Sequence, residues 1–360
     1  MLYPLKFEPA YKSYIWGGRN LKKLGKNLPK GKIAETWEVS CHKDGVSTIS
    51  NGIYEGLSLV EYMNKTGKCS IGSTLYKYKK MCFPLLLKLI DANEKLSIQV
   101  HPDDYFAYTN ENGELGKHEA WYIIYAKPGS EIICGIKQGI DEKNFSKAVD
   151  GDKIFECLKH IPVFTGDVIN VKPGTVHGIG EGIILAEIQQ SSNITYRIYD
   201  YDRMDVSGNK RPLHLSKALK VIDYHSNDKK VKFVGLDVQI GINSFKIYKV
   251  ANQYFSLEVY SVHGEVKENA NGKKFFIYLI VEGEALINYR NGSICVKMGE
   301  SVLIPASMGT YTISGIFKAL KTYVPDLQQD IILTLVAAGY TVKEIYEDVF
   351  GITEVLKKSI

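Results

Sequence analysis

The feature of this 360-residue chain that most narrows its folding options is an internal echo: GDVINVKPGTVH, beginning at residue 166, returns as GESVLIPASMGT at residue 299. Each copy sets a glycine and an acid before a four-residue strand core, and follows it with a turn that contains proline. Self-similarity of this kind marks a structural unit built twice. Around the copies lie short β-rich segments bounded by Gly, Pro, Asn or Asp: PLLLKLI at 84–90, LSIQVHP at 96–102, AWYIIYAKP at 120–128, SEIICGI at 130–136 and IILAEIQQSSNITYRIYDYD at 183–202. A second β-rich block covers 233–324. Two jelly-roll barrels are expected rather than one large sheet, since this architecture accommodates many short antiparallel strands and limits open edges.

Helical patterning interrupts this grammar in four places. Residues 53–80 carry apolar positions at helical spacing in SLVEYM and STLYKYKKM, with breaks at Gly67 and Gly72. A second helical stretch is expected over 141–160 and a third over 213–224. In the tail, LQQDIILTLVAAG ends at Gly339, and Thr341 with Glu344 forms a capping-box pattern that opens one more helix. The expected division is 1–235 for the first barrel with its helical insertions, 236–325 for the second, and 326–360 for a helical tail.

Composition removes several classes of function. Lys and Arg number 45 against 40 Asp and Glu, a net charge of only +5, and the cations are interleaved with acids, the densest groups being pairs such as Lys79-Lys80. A nucleic-acid binder needs its cations clustered, so none is expected as a partner. The longest apolar stretch, FFIYLIV at 275–281, is far short of a bilayer span, and MLYPLKFEPAYKSY at the start has no signal-like apolar run, so no membrane association is expected. Six cysteines lie far apart with no CxxC pair. They fit a reducing compartment, and the cytoplasm is the expected location.

The candidate chemistry gathers in the first β block. On a strand, Gln99 and His101 project from one face. Glu119, in GKHEAW, opens the next strand, and His177 follows the PGTV turn. Two imidazoles and a carboxylate on neighbouring barrel strands make the ligand set of an open metal site, with Gln99 as a candidate fourth donor. The separations of 18 and 58 residues match no local metal signature, so each histidine can equally be a satisfied core or surface group. His118 and Glu119 face opposite sides of an alternating strand, so only one of them can join this group and the other is an outer-shell or surface residue. Trp16, in WGGR, reads first as part of a turn with one packed aromatic and second as a lid over the pocket; Trp37 and Trp121 read as core, with sugar stacking as the alternative.

The turn KPGTVH resembles the second motif of the cupins, small metal-binding jelly rolls. A larger set of motifs is more specific: WGGR at 16–19, AETWEVS at 34–40, PLLLKLI at 84–90, LSIQVHPDD at 96–104, GKHEAWY at 116–122, PGTVH at 173–177 and TYRIYDYDR at 195–203. In this order the chain resembles the type I mannose-6-phosphate isomerases, particularly their short bacterial form, over about residues 1–325. The resemblance implies two cupin-type jelly-roll barrels in a mainly β fold with helical insertions and a C-terminal helical tail. It also implies one zinc ion per chain held by Gln99, His101, Glu119 and His177, and a phosphosugar substrate. Arg197 is implied as a catalytic group, Lys88 and Lys117 as residues of the same cavity, and Ser97 as a hydroxyl that meets the substrate phosphate.

Those residue types suit an aldose–ketose isomerisation, in which a proton moves between C2 and C1 through an enediolate and charge builds on two oxygens. A metal spreads such charge, and a guanidinium such as Arg197 stabilises it without competing as a base. Lys117 beside Glu119 is the first candidate for the proton carrier and Lys88 the second, although a lysine next to phosphate would keep its charge instead. In the second barrel the register of His177 falls on Thr310, so no metal is expected there. Rival readings are an isomerase of another phosphosugar, a non-catalytic sugar-binding cupin, and an iron or manganese cupin oxygenase, whose usual ligands are richer in histidine. A monomer and a homodimer are both compatible with the sequence.

Overall fold

A computed structural model of the chain describes residues 2–76, 83–151, 153–205, 207–225 and 231–352. The first β unit faces a six-stranded sheet against a five-stranded one. In spatial order the six strands are Val168–Val171, Glu119–Ala126, Ile183–Gln190, Leu85–Ala92, Glu35–Val39 and Ala10–Lys12. The five are Leu158–Pro162, Glu131–Ile136, His177–Ile179, Ile98–Val100 and Tyr196–Tyr199. Between them Trp121, Ile123, Ile132, Ile169, Ile179 and Leu185 form an apolar interior.

The apolar runs of the six-stranded sheet have a physical reason. Every residue of Leu85–Ala92 and of Ile183–Gln190 is buried. One face lines the first barrel, and on the other Leu85, Leu87, Leu89, Ala186 and Ile188 pack with Leu257, Leu279, Leu303 and Leu320 of the second unit. A strand buried on both faces carries continuous hydrophobicity instead of alternation.

The second unit is one continuous nine-stranded sheet built around three long strands, Ser256–Ala270, Phe276–Tyr289 and Gly309–Tyr323. Gly264 and Gly315 are cross-strand partners and both have positive φ, 128° and 140°, which marks where the first and third of these strands bend together. The strand Leu5–Glu8 joins this sheet by pairing Leu5 with Leu303 and Lys6 with Val302, so the N-terminus is woven into the second unit.

Helices sit where the patterning asks for them, with two exceptions, the first being Asp104–Asn110, a helix capped by Asp103 that falls outside the four expected stretches. Leu59–Thr66 has a complete capping box from Ser58 and Glu61, and Lys68–Ile71 and Ser73–Tyr76 follow it; the rest of STLYKYKKM, from residue 77, lies outside the described residues. Glu142–Asp150 and Leu215–Val221 are helical. The expected helix over 141–160 stops short, because Leu158–Pro162 is an edge strand on Glu131–Ile136; its alternating burial is the signature of that role. In the tail, Thr341 and Glu344 form the expected box at the start of Val342–Asp348. Ile331, Ile332, Leu335 and Ile345 of the tail bury against Leu236, Tyr248 and Ala251 of the second unit; residues 353–360 lie outside the described ones. Among the described residues no disulfide forms, and no helix is long and apolar enough to cross a membrane.

Candidate active site and metal centre

Gln99 is the central residue of Ile98–Val100, the fourth strand of the five-stranded sheet, with His177 opposite it on one neighbouring strand and Arg197 opposite it on the other. His101 follows at the strand end, while Glu119 opens its own strand across the barrel. This topology closes the sequence gaps: Glu119 Oε1 is 3.1 Å from His101 Nε2, Glu119 Oε2 is 3.8 Å from His177 Nε2, and Gln99 Nε2 is 3.2 Å from His177 Nε2. Single donor atoms of His101, Glu119 and His177 all lie within 4.8 Å of one another.

The electrostatics of this group suit a cation. Burial, followed by the charge of Lys117, pushes the His101 imidazole down to about 3, and burial lowers His177 as well. Burial alone would raise Glu119, yet Lys117 and the two histidines hold it well below the usual carboxylate range. At neutral pH the site therefore offers two neutral imidazoles and one carboxylate, the protonation states a metal requires. His177 Nδ1 lies 2.9 Å from the Thr175 carbonyl, which fixes the ring with Nε2 inward. Lys117 Nζ stands 2.7 Å from Glu119 Oε1, an ion pair that leaves this buried oxygen without a directed hydrogen bond. Mixed imidazole, carboxylate and amide donors fit a divalent transition-metal ion.

A cavity of about 270 Å3 opens onto the group and is lined by Ser97, Gln99, Lys88, Lys117 and Arg197, so every site residue expected from the sequence lies in the triad or on this cavity. Its back wall includes Lys88, Glu187 and Trp121, which with the core residue Trp37 form a cross-strand row, directly opposite one another on four strands. Lys88 Nζ is 3.1 Å from Glu187 and 3.7 Å from Glu35. Burial would lower this lysine, but Glu187, Glu35 and Glu119 hold its ammonium above the ordinary value. Burial and the charge of Glu119 push Glu187 up to about 7, with Lys88 opposing. The Trp121 indole N–H donates to both Glu187 and Glu119, at 3.0 and 3.2 Å.

Several cavity residues were not picked out from the sequence. Glu187 had a signal, a lone acid in the apolar run IILAEIQQ, where an unpaired carboxylate would be costly. Glu35 sits inside the quoted AETWEVS motif. Arg211 and Tyr14 belong to no pattern. Trp16 is a packed wall rather than a lid: it is buried, lines the cavity and stacks on Tyr14 at 5.5 Å. Trp37 is core, and Trp121 is both core and cavity wall. His118 is neither surface nor an outer-shell group; it is buried against Tyr254 and Phe255 of the second unit with Nε2 3.0 Å from Asn170. The doubly buried sheet accounts for this, because the face away from the metal group is the interface between the units.

Comparison with known proteins agrees with this architecture. Residues 4–123 match the family model of the phosphomannose isomerase type I catalytic domain, and residues 245–324 match that of the mannose-6-phosphate isomerase cupin domain. The mannose-6-phosphate isomerase ManA of Bacillus subtilis is 33% identical over 89% of this chain and 99% of its own length. That of Streptococcus mutans is 32% identical over 90% and 99%. The crystal structure of a Bacillus subtilis mannose 6-phosphate isomerase superposes with a TM-score of 0.80 at 33% identity, covering 89% of this chain and 99% of that one. The apo enzyme of Salmonella typhimurium, only 16% identical, shares the fold with a TM-score of 0.71 over 90% of this chain and all of its own.

Proposed function

The chain belongs to the type I phosphomannose isomerases, and from that premise we propose that it interconverts mannose 6-phosphate and fructose 6-phosphate, with a zinc ion held by Gln99, His101, Glu119 and His177. The observation that carries this reading is the convergence of a buried His-Glu-His group, in metal-ready protonation states, on a cavity lined by Lys88, Lys117 and Arg197. Zinc bound there would supply a Lewis acid for the sugar oxygens on which negative charge develops.

The protein's own groups supply the rest. Arg197 is anchored by Nη1 to the Pro212 carbonyl at 2.8 Å and by its backbone N–H to His214 Nδ1 at 3.2 Å. Its guanidinium keeps its proton and stabilises the enediolate as a fixed cation. Lys117, tied to Glu119 by an ion pair, holds the carboxylate in place, so we assign the proton transfer to the Lys88–Glu187 pair instead. A carboxyl group raised toward neutrality accepts and returns a proton at working pH, and the adjacent ammonium of Lys88 steadies its charged form. Ser97 lines the same cavity, with its hydroxyl 3.4 Å from Gln99 Oε1.

The test is conversion of mannose 6-phosphate by the purified protein, with the ketose followed in a coupled assay before and after chelation and after zinc readdition. Turnover that chelation abolishes and zinc restores is expected. No turnover by folded, zinc-loaded protein would overturn the substrate assignment, and chelator-resistant turnover would overturn the metal's role.

A further inference from the structure

The cavity carries one charge cluster that the isomerisation chemistry leaves unused. Deep inside, cations are matched by acids: Lys88 by Glu187 and Glu35, and Lys117 by Glu119. On the Arg197 side the balance differs. Asp200, buried, receives two guanidinia, with Arg211 Nε and Nη2 on its two oxygens at 2.7 and 2.5 Å and Arg203 Nη2 on one of them at 2.6 Å. Leaving Arg197 to the reacting oxygens, these three groups sum to +2 − 1 = +1, an excess of positive charge that suits a phosphate monoester, which is anionic near neutral pH.

The two arginines bound to Asp200 are not equivalent. Arg203 is structural: its Nε donates to the Asp200 carbonyl, its Nη1 to the Lys95 carbonyl and its Nη2 to the carboxylate, so every nitrogen is engaged. Arg211 engages two nitrogens on Asp200, lines the cavity, and its Nη1 makes no hydrogen bond among the described residues. Its position is fixed from both sides, by Asp200 through the guanidinium and by Arg197 through the carbonyl of the next residue, Pro212. A half-buried guanidinium held rigid with one nitrogen unengaged is preorganised for an anion and loses little freedom on binding it.

We propose that Arg211 is the specificity residue that receives the substrate's phosphate group, with Asp200 as its positioning partner; the proposal rests on the phosphosugar reading above. A neutral hexose would leave this guanidinium unanswered, so the cluster selects for the phosphorylated sugar.

The experiment compares the wild-type protein with Arg211→Gln, measuring KM and kcat for mannose 6-phosphate, the inhibition constant of inorganic phosphate, and phosphate binding by calorimetry. Loss of a hydrogen bond to a charged group corresponds to roughly ten- to hundredfold weaker binding. KM and the phosphate inhibition constant should rise together by such a factor, with kcat falling far less. An unchanged phosphate constant in folded Arg211→Gln would overturn the proposal, as would a fall in kcat at constant KM. Should that variant fail to fold, Arg211→Lys keeps the charge but loses the fork on Asp200. It should weaken phosphate by several fold, and wild-type affinity would overturn the proposal. Calorimetry separates the two readings: phosphate binding that depends on Arg211 in a protein without turnover sinks the isomerase reading alone, and turnover with Arg211-independent phosphate binding sinks this one alone.

Discussion

The two β units answer one problem, a polar barrel interior, in opposite ways. In the first, buried charge is arranged as a candidate ligand set, His101, Glu119 and His177, beside a cavity open to solvent. In the second, the cation belongs to the chain. Lys321 is 4% exposed, its Nζ is 2.9 Å from Glu268 and 3.1 Å from the Tyr260 hydroxyl, and the rings of Phe276, Tyr260, Tyr278 and Tyr323 surround it at 4.3–5.8 Å. Tyr278 and Tyr311 share a hydroxyl contact of 2.9 Å within the same interior. A captive ammonium in an aromatic box satisfies its carboxylate and leaves nothing for a ligand to do.

The sharpest way to break this comparison is to damage each interior in turn. Glu119→Gln should lower turnover of mannose 6-phosphate by more than about a hundredfold, since even outer-shell losses at metal sites reach that size. Lys321→Met should lower stability while leaving the zinc content of the first barrel at one per chain. A large loss of zinc in folded Lys321→Met would mean that the two interiors are coupled and the contrast is false.

A smaller effect sharpens the second interior. Lys321→Met leaves Glu268 buried without its cation, which should cost about 3–5 kcal/mol in chemical denaturation. Adding Glu268→Gln should recover part of this loss, because the stranded charge is gone. Additive losses in the double variant would show that the pair is not coupled.

The smallest effect is in the pH dependence. Burial opposes ionisation of Glu268, but Lys321 and the Tyr260 hydroxyl hold it below its ordinary value of 4.5. A depressed carboxylate contributes stability that is present above its unfolded value and lost as pH falls through its folded one. Between pH 7 and 5 the stability difference between wild type and Glu268→Gln should be flat, and it should shrink below about pH 4.5. A difference already shrinking at pH 6 would refute the assignment.

Much of this was legible in the sequence because strand alternation and turn chemistry are local. The repeat at 166 and 299 marked the two barrels, and the face shared by Gln99 and His101, with Glu119 and His177 at strand starts, marked the residues that converge in the candidate metal group. What escaped depends on contacts between distant strands. Glu187 lies opposite Lys88 only through the pairing of Ile183–Gln190 with Leu85–Ala92. Arg211 gains a role only because Asp200 reaches it across a loop. His118 needed the second barrel before its burial made sense, and Leu158–Pro162 needed the neighbouring strand to be read as an edge.

The C-terminal tail, which lies past the family-model matches ending at residue 324, has a consequence for how molecules of this protein meet one another. The strand at one end of the nine-stranded sheet is Leu236–Gly241, and the tail sits on it: the Tyr340 hydroxyl donates to the Asp237 carbonyl at 2.9 Å, while Phe350 exchanges backbone hydrogen bonds with Lys249 and Ala251 on the next strand. Bare strand edges beside apolar side chains are templates on which another chain can add its own strand. A molecule cut before Asp326 would uncover Leu236, Tyr248 and Ala251 next to such an edge. The tail therefore keeps an apolar patch beside an open sheet edge out of solvent.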